Sequence, residues 1–285
     1  MAKVKIMADS TCDLSKDLVQ EFDITIIPLH IMLGNKDYED GRGIVPGDII
    51  KWSDETKMTP KTAAPGTDTI EEIFAPYKDD DTEIICFTIS EEMSTTANVV
   101  RLMSQTMDME ERVHVVDSRN LSTGIGLLVL EACDMASLGM SANVIVDQIN
   151  ELIPKVRASF VVDTLTYLHR GGRCSAVAAI AGTVLGLHPE IVVRDGKMGV
   201  GRKYRGRMDK VTLDYAKALE KELLNAKPGR VFITHSPTDE TIIREVRRYL
   251  ESLGYFDRIL ETEAGGVVTS HCGPGTLGVL FISAE

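Results

Sequence analysis

Short hydroxyl side chains gather where an apolar segment of this sequence stops. Ile84–Ile89 is a continuous apolar, β-favouring run with the length of a buried strand. Ser94, Thr95 and Thr96 follow it, and the apolar positions of a helix come next. A helix N-terminus carries free N–H groups and the positive end of the dipole, so this junction suits a carboxylate or a phosphate. Taken alone, Ser94 is more often a simple helix N-cap.

Three further polar segments are candidates for ligand contact. Asp9–Asp13 follows the first predicted strand, and ligands gather at the carboxyl ends of such strands, although turn and cap chemistry explains the segment equally well. Thr62 is predicted to be exposed in a loop that two prolines stiffen. His271 precedes a glycine-proline turn, where an imidazole can donate to an anion, although a lone loop histidine is more often inert.

The elements that must position these residues follow a repeated β-then-α order up to about residue 157. That order predicts a three-layer α/β/α domain with a mainly parallel sheet over residues 1–157. Gly124 and Gly126, near the start of a long predicted helix, leave room either for a ligand or for close packing.

The second half of the chain, residues 158–285, predicts an α/β domain with a mixed sheet and helices on one face. Asp195-Gly196 between two β-favouring runs predicts a hairpin. Helices are predicted over Ala176–Leu187 and Met208–Leu224. We expect the ligand in the cleft between the two domains.

Composition narrows the classes of function. The chain has 285 residues and a net charge of −12, which disfavours nucleic acid and anionic membranes as partners. No apolar run reaches the length of a membrane span, and the start goes directly into a strand without a signal peptide. Five scattered cysteines fit a reducing cytoplasm better than a disulfide framework or a zinc site.

The common sequence motifs for catalysis and nucleotide binding are either absent from this sequence or lack their structural context. Gly273–Gly278 formally matches the dinucleotide fingerprint, but the chain ends seven residues later without room for the required helix. Walker A, GxSxG, HExxH and aspartate-rich metal motifs do not occur, so no cofactor or metal is predicted.

Several segments together resemble the DegV family of bacterial fatty-acid-binding proteins. In chain order they are Asp9–Leu14, Met93–Thr96, Val116–Ser118, Leu168–Arg173 and His271–Gly278. The order matches the family over nearly the whole chain. The resemblance implies two α/β domains that hold one long-chain fatty acid, such as palmitate, stearate or oleate.

The resemblance also implies roles for individual residues. Ser94 and Thr62 would hold the carboxylate, with the Thr95 N–H and His271 beside them. Thr95 stands where the family usually has glycine. The low aromatic content of 5% and the 12 methionines fit a deformable aliphatic slot for the tail.

A carrier role follows from the resemblance. The best understood family members are the acyl-carrying subunits of a bacterial fatty acid kinase, so a kinase is the implied protein partner. The chain is then a cytoplasmic, monomeric carrier rather than an enzyme, and transient contact with a membrane is compatible with that role. Arg170, Arg173 and Arg202 are predicted at the cleft mouth, facing phosphate or the partner; surface solubility explains them equally well.

Two alternatives stay open at the sequence level. One is an acyl hydrolase that uses Ser94 or Ser10 with His271 and either Asp9 or Asp117. The other is a regulatory module that senses a small acid.

Overall fold

The computed structural model describes residues 3–174 and 186–285, in three β-sheets with helices packed between and around them. The strands are β1 (Val4–Asp9), β2 (Thr25–Ile27), β3 (His30–Leu33), β4 (Lys36–Glu39), β5 (Lys61–Ala63), β6 (Glu83–Thr88), β7 (Val113–Asp117), β8 (Val156–Val161), β9 (Leu187–Arg194), β10 (Lys197–Arg205), β11 (Ala226–His235), β12 (Arg258–Glu263) and β13 (Leu277–Ser283).

The helices that these residues form are α1 (Lys16–Glu21), α2 (Pro46–Thr56), α3 (Thr67–Phe74), α4 (Thr96–Thr106), α5 (Thr123–Ser137), α6 (Ala142–Leu152), α7 (Thr166–Gly171), α8 (Met208–Ala218), α9 (Glu220–Leu223), α10 (Glu240–Ser252) and α11 (Gly266–Cys272). The helix predicted over Ala176–Leu187 lies almost wholly outside the described residues.

The first sheet is parallel and four-stranded, in the order β2–β1–β6–β7. Its centre is the apolar run of β6, whose side chains alternate between the two faces. Ile84 and Cys86 pack with α3 and α4, whereas Ile85 and Phe87 pack with α5 and α6. The predicted three-layer arrangement with a parallel sheet is confirmed.

The second sheet is mixed and six-stranded, in the order β10–β9–β8–β13–β11–β12. Of the strand pairs described in this sheet, β11 and β12 are parallel and the others are antiparallel. The predicted hairpin joins β9 to β10, and its turn residues Asp195 and Gly196 both have positive φ, at 51° and 81°. The predicted mixed sheet is therefore confirmed.

Helix α5 packs between the two large sheets. Ile125 and Leu128 belong to one core with Phe87 of the parallel sheet and with Phe160 and Leu280 of the mixed sheet. The opposite face of the mixed sheet is covered by α8, α9 and α10. The sequence predicted helices on one face only, because it could not show that a helix from the first half of the chain covers the other.

Close packing explains the two glycines of α5. A Cβ at Gly126 would lie 2.8 Å from Leu14 Cδ2 and 3.0 Å from the Cys12 carbonyl oxygen. A Cβ at Gly124 would lie 2.7 Å from Asn120 Oδ1. These glycines therefore let the helix approach its neighbours, and the alternative of room for a ligand is wrong.

A third, small sheet has the order β4–β3–β5 and was not predicted. Its strands of three or four residues are too short to show an alternating pattern, and the glycines around them indicated loops. Thr62 therefore lies in a strand, paired with Ile31, and not in an exposed loop.

Three predicted helix boundaries differ in the structure. The sequence pattern also predicts a helix over Asn143–Val156, but in the structure this helix ends at Leu152, because a 3-10 turn containing Pro154 leads into β8. The helix expected over Met208–Leu224 is interrupted at Leu219. His271 lies near the end of α11, where the sequence indicated a loop.

The division of the chain into domains at residues 157 and 158 stays a prediction. Strand β8 of the mixed sheet already begins at Val156. Helix α11, from the second half, packs on the small sheet of the first half, where Val267 joins a core with Ile31 and Ile49. A division of the chain by its sheets therefore differs from a division by its hydrophobic cores.

Candidate functional site

One cavity of about 340 Å³ is lined by Thr62, Ser94, Thr95, Arg173 and His271, which are far apart in the sequence. Strand β5, the loop from β6 into α4, the segment after α7, and α11 bring them there. Much of the remaining wall is aliphatic or sulfur-bearing, and includes Leu29, Ile89, Met93, Leu121, Met198 and Val268. The arrangement combines a few hydrogen-bonding groups with an apolar interior.

Ser94 is both a ligand candidate and part of the N-terminus of α4. Its Oγ lies 2.9 Å from Thr96 Oγ1 and accepts a bond from the Thr96 N–H at 3.3 Å. Its own N–H donates to the Ser90 carbonyl, whereas no acceptor is found in the described ranges for the Thr95 N–H. The N-terminus of an 11-residue helix, which carries the positive end of its dipole, therefore lies beside the cavity.

Thr62 and His271 form a direct pair. Thr62 Oγ1 lies 2.9 Å from His271 Nε2. Burial, with a smaller contribution from the Arg173 charge, lowers the pKa of His271 from 6.5 to about 4. At neutral pH the imidazole is therefore uncharged and carries a single ring proton.

The three arginines predicted at the cleft mouth are not together. Arg173 lines the cavity, is exposed, and donates through Nη1 to the Gly171 carbonyl at 2.7 Å. Arg170 is exposed on α7 but is not among the residues that line the cavity. Arg202 lines a different groove, of about 1020 Å³, and donates to the Ala218 carbonyl. Arg202 therefore does not line this cavity, and its place at the cleft mouth stays a prediction.

The carboxylates of the Asp9–Asp13 segment support the two elements that carry Ser94 and His271. Asp9 is fully buried and accepts a bond from the Ile89 N–H at 2.7 Å, at the start of the loop that leads to Ser94. Asp13 Oδ1 accepts from the Gly265 N–H at 2.8 Å, just before α11. The polar atoms of this segment are thus used within the chain, which favours the turn and cap interpretation.

Asp40 is a supporting residue that the sequence did not indicate. Its Oδ1 accepts from the Gly266 N–H, and its Oδ2 accepts from the Ser10 hydroxyl, both at 2.8 Å. Burial is the main cause that raises the pKa of Asp9 to about 6 and also raises the pKa values of Asp13 and Asp40. Asp40 follows a short unpredicted strand and precedes glycine, so the sequence indicated only a turn.

A hydrolase triad gains no support from these contacts. The Ser10 hydroxyl donates to Asp40, Ser94 contacts Thr96, and His271 contacts Thr62. Across residues 3–174 and 186–285, no cluster of three or more His, Cys, Asp or Glu side chains could hold a metal ion. Within the same ranges, no helix is long and apolar enough to cross a membrane.

The fold and the cavity together define a class of α/β proteins. Its members have two large β-sheets packed with helices, and an apolar cavity whose wall includes hydroxyl groups and an imidazole. The chain belongs to the DegV family, an uncharacterised protein family whose model matches residues 3–284.

Individual relatives match the chain over nearly its full length. A DegV domain-containing protein of Clostridium acetobutylicum is 32% identical over 284 residues, covering 99% of each chain. A DegV family protein from Thermus thermophilus, whose structure concerns fatty acid binding, has 28% identity and a TM-score of 0.89, covering 99% of each chain. A stearic-acid-binding protein from Eubacterium ventriosum has 28% identity and a TM-score of 0.85, covering 99% of this chain and 98% of its own.

Proposed function

We propose that this protein binds a long-chain fatty acid, with the carboxylate at Thr62, Ser94 and the Thr95 N–H and the tail in the apolar part of the cavity. The observation that carries the proposal is the cavity, which joins hydroxyl groups at a helix N-terminus to an aliphatic interior. The fatty acid binding described for the Thermus and Eubacterium relatives supports it.

The polar groups suit a carboxylate on physical grounds. A carboxylate accepts several hydrogen bonds and gains from the positive end of α4. Hydrogen bonds to a charged group contribute roughly 1.5–3 kcal/mol each. His271 is neutral at pH 7 and adds no charge, so orientation comes from hydroxyl and N–H donors.

The apolar groups suit a hydrocarbon chain. Each buried methylene contributes about 0.8 kcal/mol, so the tail supplies most of the affinity. Met93 and Met198 on the wall have flexible side chains, which adapt to bent and straight chains alike. Palmitate, stearate and oleate are therefore all proposed as ligands.

Native mass spectrometry of the purified protein tests this proposal. We expect a one-to-one adduct with the mass of a long-chain fatty acid, which increases after incubation with oleate. The control is the same incubation with an alkane of equal length, which lacks the carboxylate and gives a much weaker adduct. A spectrum that shows only the unliganded mass, before and after oleate, contradicts the proposal.

We further propose that the bound fatty acid is presented to a kinase in the cytoplasm by a monomeric, non-enzymatic carrier. The sequence has no Walker A segment, so in this proposal the kinase partner binds the ATP. In that reaction a carboxylate oxygen bonds to the γ-phosphorus of ATP, and the bond from that phosphorus to ADP breaks. In this proposal Arg173 faces the transferred phosphate, which its exposure and its place in the cavity wall support.

Labelled ATP and a purified fatty acid kinase test the carrier role. Arg173→Ala is expected to bind oleate with nearly the wild-type dissociation constant but to form several-fold less acyl phosphate. Arg170→Ala and Arg202→Ala, whose roles stay predictions, belong in the same assay. Equal loss of binding and phosphorylation in Arg173→Ala would assign this arginine to the carboxylate site instead.

A further inference from the structure

Gly171 contacts the ring of His271 and leaves no room for a side chain. It is the last residue of α7, which packs on α11, and it is buried. A Cβ at this position would lie 2.4 Å from His271 Nδ1 and 3.3 Å from Cγ. Gly171 is not among the residues with positive φ, so its backbone conformation is open to alanine. The requirement for glycine here comes from the His271 ring.

This contact decides which ring nitrogen carries the proton. His271 Nδ1 is buried and has no hydrogen-bond partner in the part of the chain that the structure describes. A proton on Nδ1 would point at the Cα–H of Gly171, against another hydrogen. A lone pair on Nδ1 instead receives that C–H as a weak donor. The proton therefore belongs on Nε2, where Thr62 Oγ1 lies 2.9 Å away as an acceptor.

We propose that Gly171 is a positioning residue that holds His271 in its Nε2–H form against Thr62, so that the Thr62 hydroxyl proton is left for the ligand. Because His271 donates to Thr62 Oγ1, that hydroxyl has to direct its own proton elsewhere. Thr62 lines the cavity, so a ligand bound there can accept that proton. This inference rests on the proposed carboxylate site and explains how a neutral imidazole contributes to it.

Selectivity for the head group follows from this arrangement. With Thr62 fixed as a donor, the site presents the Thr62 and Ser94 hydroxyls and the Thr95 N–H to an acceptor. A carboxylate accepts from all three, whereas an amide of equal length would bring an NH₂ group that finds no acceptor at Thr62. The arrangement at Thr62 therefore favours a long-chain carboxylate over its amide.

The substitution that tests the inference is Gly171→Ala. The added methyl pushes the imidazole away from Thr62, and we expect the dissociation constant for oleate to rise about ten- to a hundredfold, as for one lost hydrogen bond to a charged group. The matched control is Gly47→Ala in α2, because Gly47 lacks positive φ and no atom lies within 4 Å of the position that its Cβ would take. Gly47→Ala is expected to bind like the wild type.

A second pair of variants separates positioning from general damage to the fold. In a His271→Ala background the methyl has nothing to displace, so adding Gly171→Ala should change oleate affinity less than twofold. If Gly171→Ala costs as much in that background as in the wild type, the glycine acts on the fold and not through His271. Wild-type affinity in Gly171→Ala would also overturn the inference.

The tautomer itself is measured without any ligand. Nitrogen-15 spectra of the histidine rings distinguish a protonated from an unprotonated ring nitrogen, and we expect Nε2 protonated and Nδ1 bare for His271 at pH 7. A protonated Nδ1 overturns the inference while leaving fatty acid binding untouched. Conversely, failure of the wild type to bind any fatty acid removes the proposed function and leaves the tautomer result standing.

Discussion

The Ser94 hydroxyl is a proposed donor to the ligand carboxylate and also a hydrogen-bond acceptor at the N-terminus of α4. Ser94→Ala removes both interactions, and each loss is measured by a different experiment. We expect Ser94→Ala to weaken oleate binding by roughly 1.5–3 kcal/mol, because a hydrogen bond to a charged carboxylate is lost. The free energy of unfolding should fall by about 1 kcal/mol or less, since Ser94 Oγ also accepts from the Thr96 N–H. Titration calorimetry and urea unfolding measure the two quantities.

Ser137→Ala is the control for this comparison. Ser137 is an exposed helix serine, on α5, whose hydroxyl donates to a carbonyl of its own helix, away from the cavity. Its oleate affinity should equal that of the wild type. An unchanged affinity in Ser94→Ala would mean that Ser94 is only a helix cap.

Two amide substitutions of His271 test which ring nitrogen donates to Thr62. A glutamine amide NH₂ can occupy the position of Nε2, whereas an asparagine amide NH₂ corresponds to Nδ1. We expect His271→Gln to keep oleate affinity within a few-fold of the wild type, and His271→Asn to lose about tenfold, the value of one hydrogen bond. Equal losses in the two variants would show that the donor to Thr62 is not what His271 supplies.

Sequence reasoning found the polar residues of the site better than their surroundings. Thr62, Ser94, Thr95 and His271 line one cavity, and the family resemblance brought them together, because spacing along the chain says nothing of their proximity. That they bind a carboxylate stays a prediction. Asp40 escaped notice because its partners, Ser10 and Gly266, are remote in sequence.

Helix α11 depends on carboxylates at its start. Asp40 accepts from the Gly266 N–H and from Ser10, and both donors are left without a partner in Asp40→Ala. We expect this variant to lose about 2–4 kcal/mol of unfolding free energy, for a buried N–H and a half-buried hydroxyl left unsatisfied at about 1–3 kcal/mol each with partial relaxation. Oleate affinity should fall as well, because α11 carries His271.

Urea unfolding and an oleate titration measure the two effects of Asp40→Ala. Asp147→Ala is the control, since Asp147 is exposed in the middle of α6, and it should stay within about 0.5 kcal/mol of the wild type. Full stability in Asp40→Ala would show that α11 holds its position without that carboxylate.

Long apolar elements were predicted well and short ones poorly. Strand β6 has a run of four consecutive fully buried apolar residues, and its pattern needs no partner to be recognised. Strand β5 has three residues and exists because Ile31 and its neighbours in β3 offer backbone partners. The sequence could not show the position of α5 for a similar reason, since a helix that is apolar on most of its surface has no single apolar face that indicates which sheets it will contact.

At the scale of the whole molecule, buried carboxylates make stability depend on pH. The pKa of Asp9 is raised from 3.8 to about 6, chiefly by burial. A carboxyl group with a raised folded pKa contributes stability below its unfolded pKa of 3.8, and that contribution is lost as the pH rises through about 6. The wild type should therefore lose up to about 3 kcal/mol from this group across that range.

Asp9→Asn tests this pH dependence. Urea unfolding at pH 4 and at pH 7 should show a smaller decrease in stability for Asp9→Asn than for the wild type. Asp147→Asn, at an exposed position, should follow the wild type. Parallel curves for Asp9→Asn and the wild type would assign the pH dependence to other groups.

Because α5 contacts both large sheets, we expect the protein to unfold in one transition. Trp52, the single tryptophan, lies beside the small sheet and reports on the first half, whereas far-ultraviolet circular dichroism reports on all helices. Leu128→Ala should lower the unfolding free energy by about 2–5 kcal/mol and keep the two signals coincident. Leu138→Ala, at a residue that is 76% exposed, is the control and should be near neutral. Separate transitions would show that the sheets unfold independently.

The position of α5 also bears on how this chain can change over generations. A substitution on α10 has to suit one sheet, and that helix has an exposed charged face that tolerates replacement. A substitution at Leu128 has to suit the parallel and the mixed sheet together, because that residue belongs to a core shared by both. Acceptable replacements are therefore fewer, and a gain of volume toward one sheet requires a matching loss in the other. In a library of random variants selected for folding, α5 should retain the narrowest range of side-chain volumes of all the described helices.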